Sequence, residues 1–134
     1  MPNQFIALGN KVTEGDLEVI QFKPAIDPIS KSEHWGLLRE VTFTCDEVTA
    51  LCPVTGQPDQ YIVEIKLSIL NFSIESKSLK LYLQKYRNQG IFAEQLCQQI
   101  CIDVVRAAHI GSCSVILKQK SRGGISLVAK AEWS

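Results

Sequence analysis

Apolar and polar residues alternate strictly in several parts of this chain, whereas in its middle the apolar residues recur at helical spacing. An alternation of period two predicts a strand that buries one face. The two clearest alternating segments have their apolar positions at Val41, Phe43 and Cys45, and at Tyr61, Val63, Ile65, Leu67 and Ile69. A short strand is also predicted over residues 17–23, after a polar surface segment (1–16) and before a loop (24–32).

Two helices are predicted from apolar residues spaced at i, i+3, i+4 and i+7. The first has Ser76 as its N-cap and ends near Gly90, and its apolar stripe consists of Leu79, Tyr82, Leu83 and Tyr86. The second runs from about residue 92 to residue 108, with a stripe at Leu96, Cys97, Ile100, Cys101, Val104, Val105 and Ala108. Because Cys97 and Cys101 lie within this stripe, and Cys45 on the buried face of its strand, we interpret these thiols as packing groups.

Two more alternating segments close the chain, and residues 121–124 (Ser-Arg-Gly-Gly) form the turn between them. Their apolar positions are Cys113, Val115 and Leu117, and then Ile125, Leu127, Ala129, Ala131 and Trp133. The order strand, strand, helix, helix, strand, strand predicts an α+β fold, in which two helices cover one face of an antiparallel sheet. No repeat or change of composition divides the 134 residues, so one domain over residues 1–134 is predicted.

Composition and charge exclude several classes of function. The formal net charge is zero, so no global positive field attracts nucleic acid or an anionic membrane. No apolar run approaches the ~20 residues of a membrane span, and the N-terminus lacks the pattern of a signal peptide, so a cytoplasmic location is expected. Five scattered cysteines without a Cys-x-x-Cys pair, and only two histidines (His34 and His109), predict neither a disulfide framework nor a metal site.

Residues 52–59, Cys-Pro-Val-Thr-Gly-Gln-Pro-Asp, form the stretch that points most directly to chemistry. Two prolines restrict the backbone and Gly56 permits a turn, so a thiol and a carboxyl are presented from one rigid loop. Such a pair suits covalent catalysis, in which the Cys52 thiolate attacks an electrophilic carbon and Asp59 manages a proton. The alternative is that Cys52 is a small buried apolar residue beside a turn.

This loop and several further stretches resemble the unimodular 7-cyano-7-deazaguanine reductases, the nitrile reductases of queuosine biosynthesis. The shared stretches are residues 52–59, Glu-Ser-Lys-Ser-Leu-Lys-Leu-Tyr at 75–82, Arg-Asn-Gln-Gly at 87–90, Phe92, Glu94, and Arg-Gly-Gly-Ile at 122–125. The resemblance covers about two thirds of the chain. It implies a tunnelling fold (T-fold), whose subunits join their sheets edge to edge into a barrel, and hence a homo-oligomer with active sites between subunits.

The resemblance also implies roles for individual residues. Cys52 is the expected covalent nucleophile, which holds the nitrile as a thioimide, and Asp59 is the expected proton donor. Substrate recognition is expected at Ile74, Glu75, Ser76, Ala93 and Glu94. A carboxylate such as that of Glu94 can accept two hydrogen bonds from the N1–H and amino groups of a deazaguanine. The alternative for either glutamate is a solvated charge near a helix N-terminus.

Lys77 and Lys80, three positions apart on one helix face, are expected to bind the phosphates of NADPH, the cofactor that the resemblance implies. Arg122, in the glycine-rich turn, is a further phosphate-binding candidate. The chain has no Gly-x-Gly-x-x-Gly, so a dinucleotide would bind outside a Rossmann crevice. The alternatives are an ordinary solvated helix face for the lysines and an exposed hairpin side chain for Arg122.

Ala93 is the main departure from the family, which carries histidine at this place, beside the nitrile, where it helps to orient or protonate the reacting group. Three explanations stay open: a divergent reductase, a relative with altered chemistry, and a variant in which this histidine has been replaced. The predicted function is NADPH-dependent reduction of 7-cyano-7-deazaguanine to its 7-aminomethyl form. One alternative is a relative that transfers the thioimide to another nucleophile on tRNA. In such a protein, Lys77 and Lys80 would have no cofactor to bind. The other alternative is a catalytically silent subunit.

Overall fold

A four-stranded antiparallel sheet forms the centre of the protein, as the alternating segments predict. The structure is a computed structural model, and it describes residues 19–21, 37–70, 72–108 and 110–134. The sheet consists, in spatial order, of β2 (Glu40–Leu51), β3 (Pro58–Ser68), β5 (Ser112–Arg122) and β6 (Ile125–Trp133). Along β3 the residues predicted to face inward are buried and their neighbours are more exposed, which places the core on one face of the sheet.

A second, small sheet pairs β1 (Val19–Gln21) with β4 (Phe72–Ile74) in antiparallel register. The first of these strands falls within the strand predicted over residues 17–23, whereas the second was not predicted. The predicted surface segment 1–16 and the predicted loop 24–32 lie outside the described residues, as do both histidines.

Two helices pack against the four-stranded sheet, so the predicted α+β fold is confirmed. Helix α1 (Ser76–Gln84) lies against β2, and helix α2 (Ala93–Ala108) lies mainly against β5 and β6. The inward strand positions and the helix stripes form one core, whose fully buried side chains include Val63, Ile65, Leu67, Leu96, Ile100, Val104, Val115 and Leu117. Within the described part of the chain, no helix is long and apolar enough to cross a membrane.

The start of α1 differs from the prediction, because Glu75 rather than Ser76 is its N-cap. Glu75 has extended backbone angles (φ −77°, ψ 131°), and its carboxylate accepts hydrogen bonds from the backbone N–H groups of Lys77 at 2.7 Å and Ser78 at 2.8 Å. The carboxylate has two acceptor atoms and a negative charge, both favourable at the positive end of a helix. Ser76 is therefore the first helical residue rather than the cap.

The end of the first helix also differs from the prediction. The regular helix stops at Gln84, and a 3₁₀ turn (Lys85–Asn88) carries the chain towards Gly90. Tyr86 remains buried within this turn, which explains why the apolar stripe continues past the last helical residue. The second helix begins and ends as predicted.

Candidate active site

The loop between β2 and β3 is closed by its own backbone hydrogen bonds. The N–H of Cys52 donates to the carbonyl of Gln57 at 2.8 Å, and the N–H of Gly56 donates to the carbonyl of Cys52 at 2.8 Å. Gly56 has a φ of 71°, in the left-handed region that side chains other than glycine rarely adopt. The loop connects two residues that pair across the strands, Leu51 and Pro58. The rigid loop predicted from its prolines and glycine is therefore present.

The segment between the two helices anchors this loop from one side. The N–H of Leu51 donates to the carbonyl of Gln89 at 2.9 Å, and the N–H of Ile91 donates to the carbonyl of Leu51 at 3.0 Å. Pro53 lies directly over Gly90, since a Cβ atom at that glycine would stand 3.6 Å from the Cα of the proline. These contacts hold the loop beside the start of α2.

Hydrogen-bond donors surround the Cys52 thiol. The hydroxyl of Thr55 first, then the backbone N–H groups of Thr55 and Val54 and the guanidinium of Arg122, lower the pKa of Cys52 from the ordinary 9.0 to about 6, against the opposing effect of burial. Cys52 is 6% exposed and lies outside the apolar core cluster. The lowered pKa and the position outside the core cluster favour a reactive thiol over the interpretation of Cys52 as an apolar packing residue.

Arg122 connects the thiol to the carboxylate of the same loop. Its Nη1 donates to Oδ1 of Asp59 at 2.7 Å, and its Nη2 lies 3.7 Å from the sulfur of Cys52. Arg122 is the last residue of β5, and the two following glycines, with φ angles of 62° and 82°, form the tight turn into β6. This turn ends the hairpin next to the first residues of β3. We refer to Cys52, Asp59 and Arg122 as the thiol cluster.

The other four cysteines have environments opposite to that of Cys52. Burial raises the pKa of Cys97, Cys101 and Cys113, and burial together with the charge of Asp46 raises that of Cys45. The packing roles predicted for the two helical cysteines are confirmed, since both are buried in the core. No group of three or more side chains suited to a metal ion occurs among the described residues.

Tyr61 and Glu94 lie within electrostatic reach of the thiol cluster. Burial, followed by the charge of Asp59, raises the pKa of Tyr61 to about 12, with smaller contributions from Cys52 and Glu94 and an opposing one from Arg122. Glu94 is exposed in the first turn of α2 and lines a groove of about 840 Å³ between α2 and β6. Tyr61 was predicted only as a strand residue. Its position two residues after Asp59, on the same face of the strand, was the available signal.

The structure separates the residues expected to recognise the substrate into two places. Ile74, Glu75 and Ser76 lie at the junction of β4 and α1, where Ile74 is in the core and the carboxylate of Glu75 caps the helix. Ala93 is buried at the start of α2, next to Glu94. The charge of Glu94 acts on Tyr61, beside the thiol cluster, whereas the carboxylate of Glu75 caps the N-terminus of its own helix.

The residues expected to bind phosphate are also divided. Lys80 is exposed and, together with Ser76, lines a groove of about 290 Å³ between α1 and residues 43–48 of β2. Lys77 lies in the first turn of the same helix. Arg122 belongs to the thiol cluster instead, where its guanidinium binds a carboxylate.

Residues 58–134 match the protein family described as "QueF-like protein", which is more than half of the chain. The chain belongs to the QueF-like family. The matched region includes two residues of the thiol cluster, Asp59 and Arg122, and also Glu94.

Several proteins named "NADPH-dependent 7-cyano-7-deazaguanine reductase" are similar to this family member. The protein from Frankia casuarinae is 36% identical over 126 residues, which are 94% of this chain and 93% of that protein. The protein from Syntrophus aciditrophicus is 45% identical over 93 residues (69% of this chain, 66% of that protein). The protein from Helicobacter pylori strain P12 is 42% identical over 87 residues (65% of this chain, 59% of that protein). The match thus spans nearly the whole Frankia protein but less than two thirds of the other two.

The fold is similar to a crystal structure of an archaeosine synthase named QueF-Like in its apo form. The TM-score is 0.67 at 19% sequence identity, and the match covers 71% of this chain and 93% of that chain. At this level of identity the likeness concerns the fold alone. It confirms the predicted tunnelling fold of the subunit, whereas the assembly of subunits into a barrel stays a prediction.

Proposed function

We propose that this QueF-like protein reduces the nitrile of 7-cyano-7-deazaguanine to an aminomethyl group with NADPH, in queuosine biosynthesis. The names of its relatives state this cofactor and substrate for those proteins. The observation that carries the proposal is the thiol cluster, in which a Cys52 thiol with a pKa of about 6 and the carboxylate of Asp59 both contact Arg122. A nitrile carbon is a weak electrophile and requires a nucleophile that is ionised at neutral pH.

Cys52 is the covalent nucleophile in this proposal. Its sulfur forms a bond to the nitrile carbon, and one electron pair of the C≡N bond moves to the nitrogen. Asp59 then delivers to the nitrogen a proton that its carboxylate has taken up from solvent, which gives a thioimide. Conversion of a nitrile to a primary amine requires two hydrides, so two molecules of NADPH, bound in turn, would supply one hydride each. Cys52 later departs as a thiolate, and it is a good leaving group because the donors of Thr55 and Val54 stabilise its charge.

Glu94 is the proposed anchor for the deazaguanine base. Its carboxylate is exposed at the start of α2 and can accept hydrogen bonds from the N1–H and amino groups of the base side by side. A site built to accept such bonds discriminates strongly against analogues that lack the donors. Ile74, Glu75 and Ser76 remain proposed recognition residues, although Glu75 must then hold both a helix end and the substrate.

The residues on α1 fit the phosphate end of NADPH. Lys77 and Lys80 bring two positive charges to one helix face, and Lys80 borders a groove of about 290 Å³. Asp46 and Glu47 line the same groove, so a phosphate would bind on its Lys80 side, away from these carboxylates. We propose that both lysines hold the phosphates. Arg122 already binds Asp59. We propose that it helps to bind only the end of the cofactor that approaches the thiol cluster.

A homo-oligomer, with active sites between subunits, is part of the proposal. Strands β2 and β6 are the edges of the four-stranded sheet. Within the described residues, the outer side of β2 is paired only at Leu51, by a bridge to Gly90, and the outer side of β6 is unpaired. Ile125, Val128 and Trp133 on β6 are exposed apolar residues, and the groove lined by Glu94 runs along this edge. Pairing of such edges between copies would remove the unpaired backbone groups. A cytoplasmic location is also proposed, since all five thiols are free.

The experiment is an intact-mass measurement of the protein with 7-cyano-7-deazaguanine, with and without NADPH. Without reductant we expect the mass of one substrate to be added per chain, at Cys52 by peptide mapping. Addition of NADPH should remove the adduct and consume the reduced nicotinamide. Cys52→Ala should abolish the adduct, Asp59→Asn should slow its formation by about 10²–10⁴-fold, and Cys45→Ala, as a matched control, should behave like the unchanged protein.

Two other outcomes would reject the proposal. An adduct that persists in the presence of NADPH would reject the reductase and favour a protein that passes the thioimide to a different nucleophile. A folded protein that forms no adduct at all would reject covalent catalysis and favour the silent subunit.

A further inference from the structure

The hydroxyl of Tyr61 is buried without a hydrogen-bond partner. Tyr61 is 1% exposed, and its oxygen is the only fully buried side-chain nitrogen or oxygen atom without a partner in the described part of the chain. Its cross-strand neighbours are Val48 on β2 and Gln119 on β5, and neither forms a hydrogen bond with the hydroxyl. A buried hydroxyl that makes no hydrogen bond destabilises the folded state. The arrangement is therefore one that a bound group, rather than the free protein, would satisfy.

The phenol lies among the charged groups of the thiol cluster. Tyr61 follows Asp59 by two residues along β3, so both side chains project from the same face of the sheet. The charges of Asp59, Cys52, Glu94 and Arg122 all act on this hydroxyl. These are the groups proposed above to attack the nitrile, to protonate it and to hold the base. The partnerless hydroxyl is thus close to the groups that are proposed to act on the substrate.

Ala93 contributes no hydrogen-bond donor from its side chain to this part of the site. It is buried at the start of α2, in the same core cluster as Tyr61, and its methyl group cannot form hydrogen bonds. The phenol of Tyr61 can supply a neutral O–H donor to the reacting group.

We infer that Tyr61 is a further catalytic residue, whose hydroxyl donates a hydrogen bond to the nitrile nitrogen as Cys52 adds to the carbon. This inference rests on the proposed function. As the S–C bond forms, an electron pair moves to the nitrogen, which becomes negatively charged until Asp59 delivers its proton. A donor already fixed by the sheet stabilises this charge without reorganisation. The phenol keeps its own proton throughout, so the atoms and charges of the proposed step are unchanged.

The test compares adduct formation in the unchanged protein and in Tyr61→Phe, with 7-cyano-7-deazaguanine and no NADPH. Loss of one fixed donor of this kind commonly slows a reaction by about 10²–10³-fold, so we expect a decrease of at least about 10-fold in the maximal rate of adduct formation. The substrate concentration at half-maximal rate should change much less, because Glu94 still holds the base. The melting temperature of Tyr61→Phe should be equal to or higher than that of the unchanged protein, since an unsatisfied hydroxyl has been removed.

Tyr86→Phe is the matched control. Its hydroxyl is buried and bonded to that of Tyr82 at 3.0 Å, so its removal should lower the melting temperature and leave the rate of adduct formation unchanged. Equal rates in Tyr61→Phe and the unchanged protein would overturn the inference, and so would a slower rate accompanied by a lower melting temperature. If the unchanged protein formed no adduct, the proposed function itself would fail before Tyr61 was compared.

Discussion

Thr55→Val removes the hydroxyl that contributes most to the low pKa of Cys52. Valine keeps the shape of threonine and leaves the backbone N–H donors of the loop in place. The pKa of Cys52 is about 6 against an ordinary 9.0, so its four hydrogen-bonding contributions together lower it by about three pH units or more, because burial acts in the opposite direction. The largest of the four therefore accounts for about one unit, and the variant should have a thiol pKa of about 7 or above.

The assay is the rate of alkylation of Cys52 by iodoacetamide as a function of pH, followed by mass spectrometry of the native protein. Because the thiolate is the reacting form, the rate rises with pH and reaches half its plateau at the pKa. We expect the midpoint to move from about 6 to about 7 or above. The plateau should rise by no more than about threefold, since a more basic thiolate is a somewhat stronger nucleophile.

Thr55→Val should also lower the stability of the folded protein, and by an amount that depends on pH. A folded-state pKa below the unfolded one contributes stability that is present above the unfolded pKa and is lost as the pH falls through the folded pKa. Thr55→Val should therefore reduce the free energy of unfolding more at pH 9 than at pH 5. Thr55→Ser keeps a hydroxyl and should keep the midpoint near 6. If the midpoints of Thr55→Val and the unchanged protein coincided, the hydroxyl would not be the main cause of the low pKa.

Three further predictions concern single contacts. Arg122→Gln should raise the alkylation midpoint of Cys52 by less than Thr55→Val does, because the guanidinium is the smallest of the four contributions; an equal or larger rise would contradict the assigned order. Glu75→Ala should lower the free energy of unfolding in urea by about 1 kcal/mol through loss of the helix cap, whereas Ser76→Ala should change it by less than about 0.5 kcal/mol. In the native protein at pH 7, iodoacetamide should modify Cys52 and leave Cys97 unmodified until urea is added; early modification of Cys97 would show that the core around it opens.

Much of the fold follows from local patterns that the sequence displays directly. The alternation from Tyr61 to Ile69 and the stripe from Leu96 to Ala108 each bury one face, so the period alone predicted a strand and a helix. The loop of residues 52–59 was also predictable, because proline and glycine act on the backbone within a few residues. Cys52 and Asp59 lie on that one loop, and their proximity needed no tertiary contact. The division into one domain over residues 1–134 stays a prediction.

Only the tertiary structure decided which distant residues complete the site. Arg122 follows Asp59 by 63 positions, and their contact depends on the pairing of β3 with β5 and on the length of the last hairpin. Glu75 is the helix cap because the backbone path out of β4 brings its carboxylate to the first N–H groups of the helix. The general preference for serine at an N-cap did not decide the position. Only the fold shows that the hydroxyl of Tyr61 is buried and that none of its neighbours forms a hydrogen bond with it. Hydrogen bonds and charges act over a few ångströms in space, so the sequence determined which groups were available and the packing of the sheet decided which of them meet.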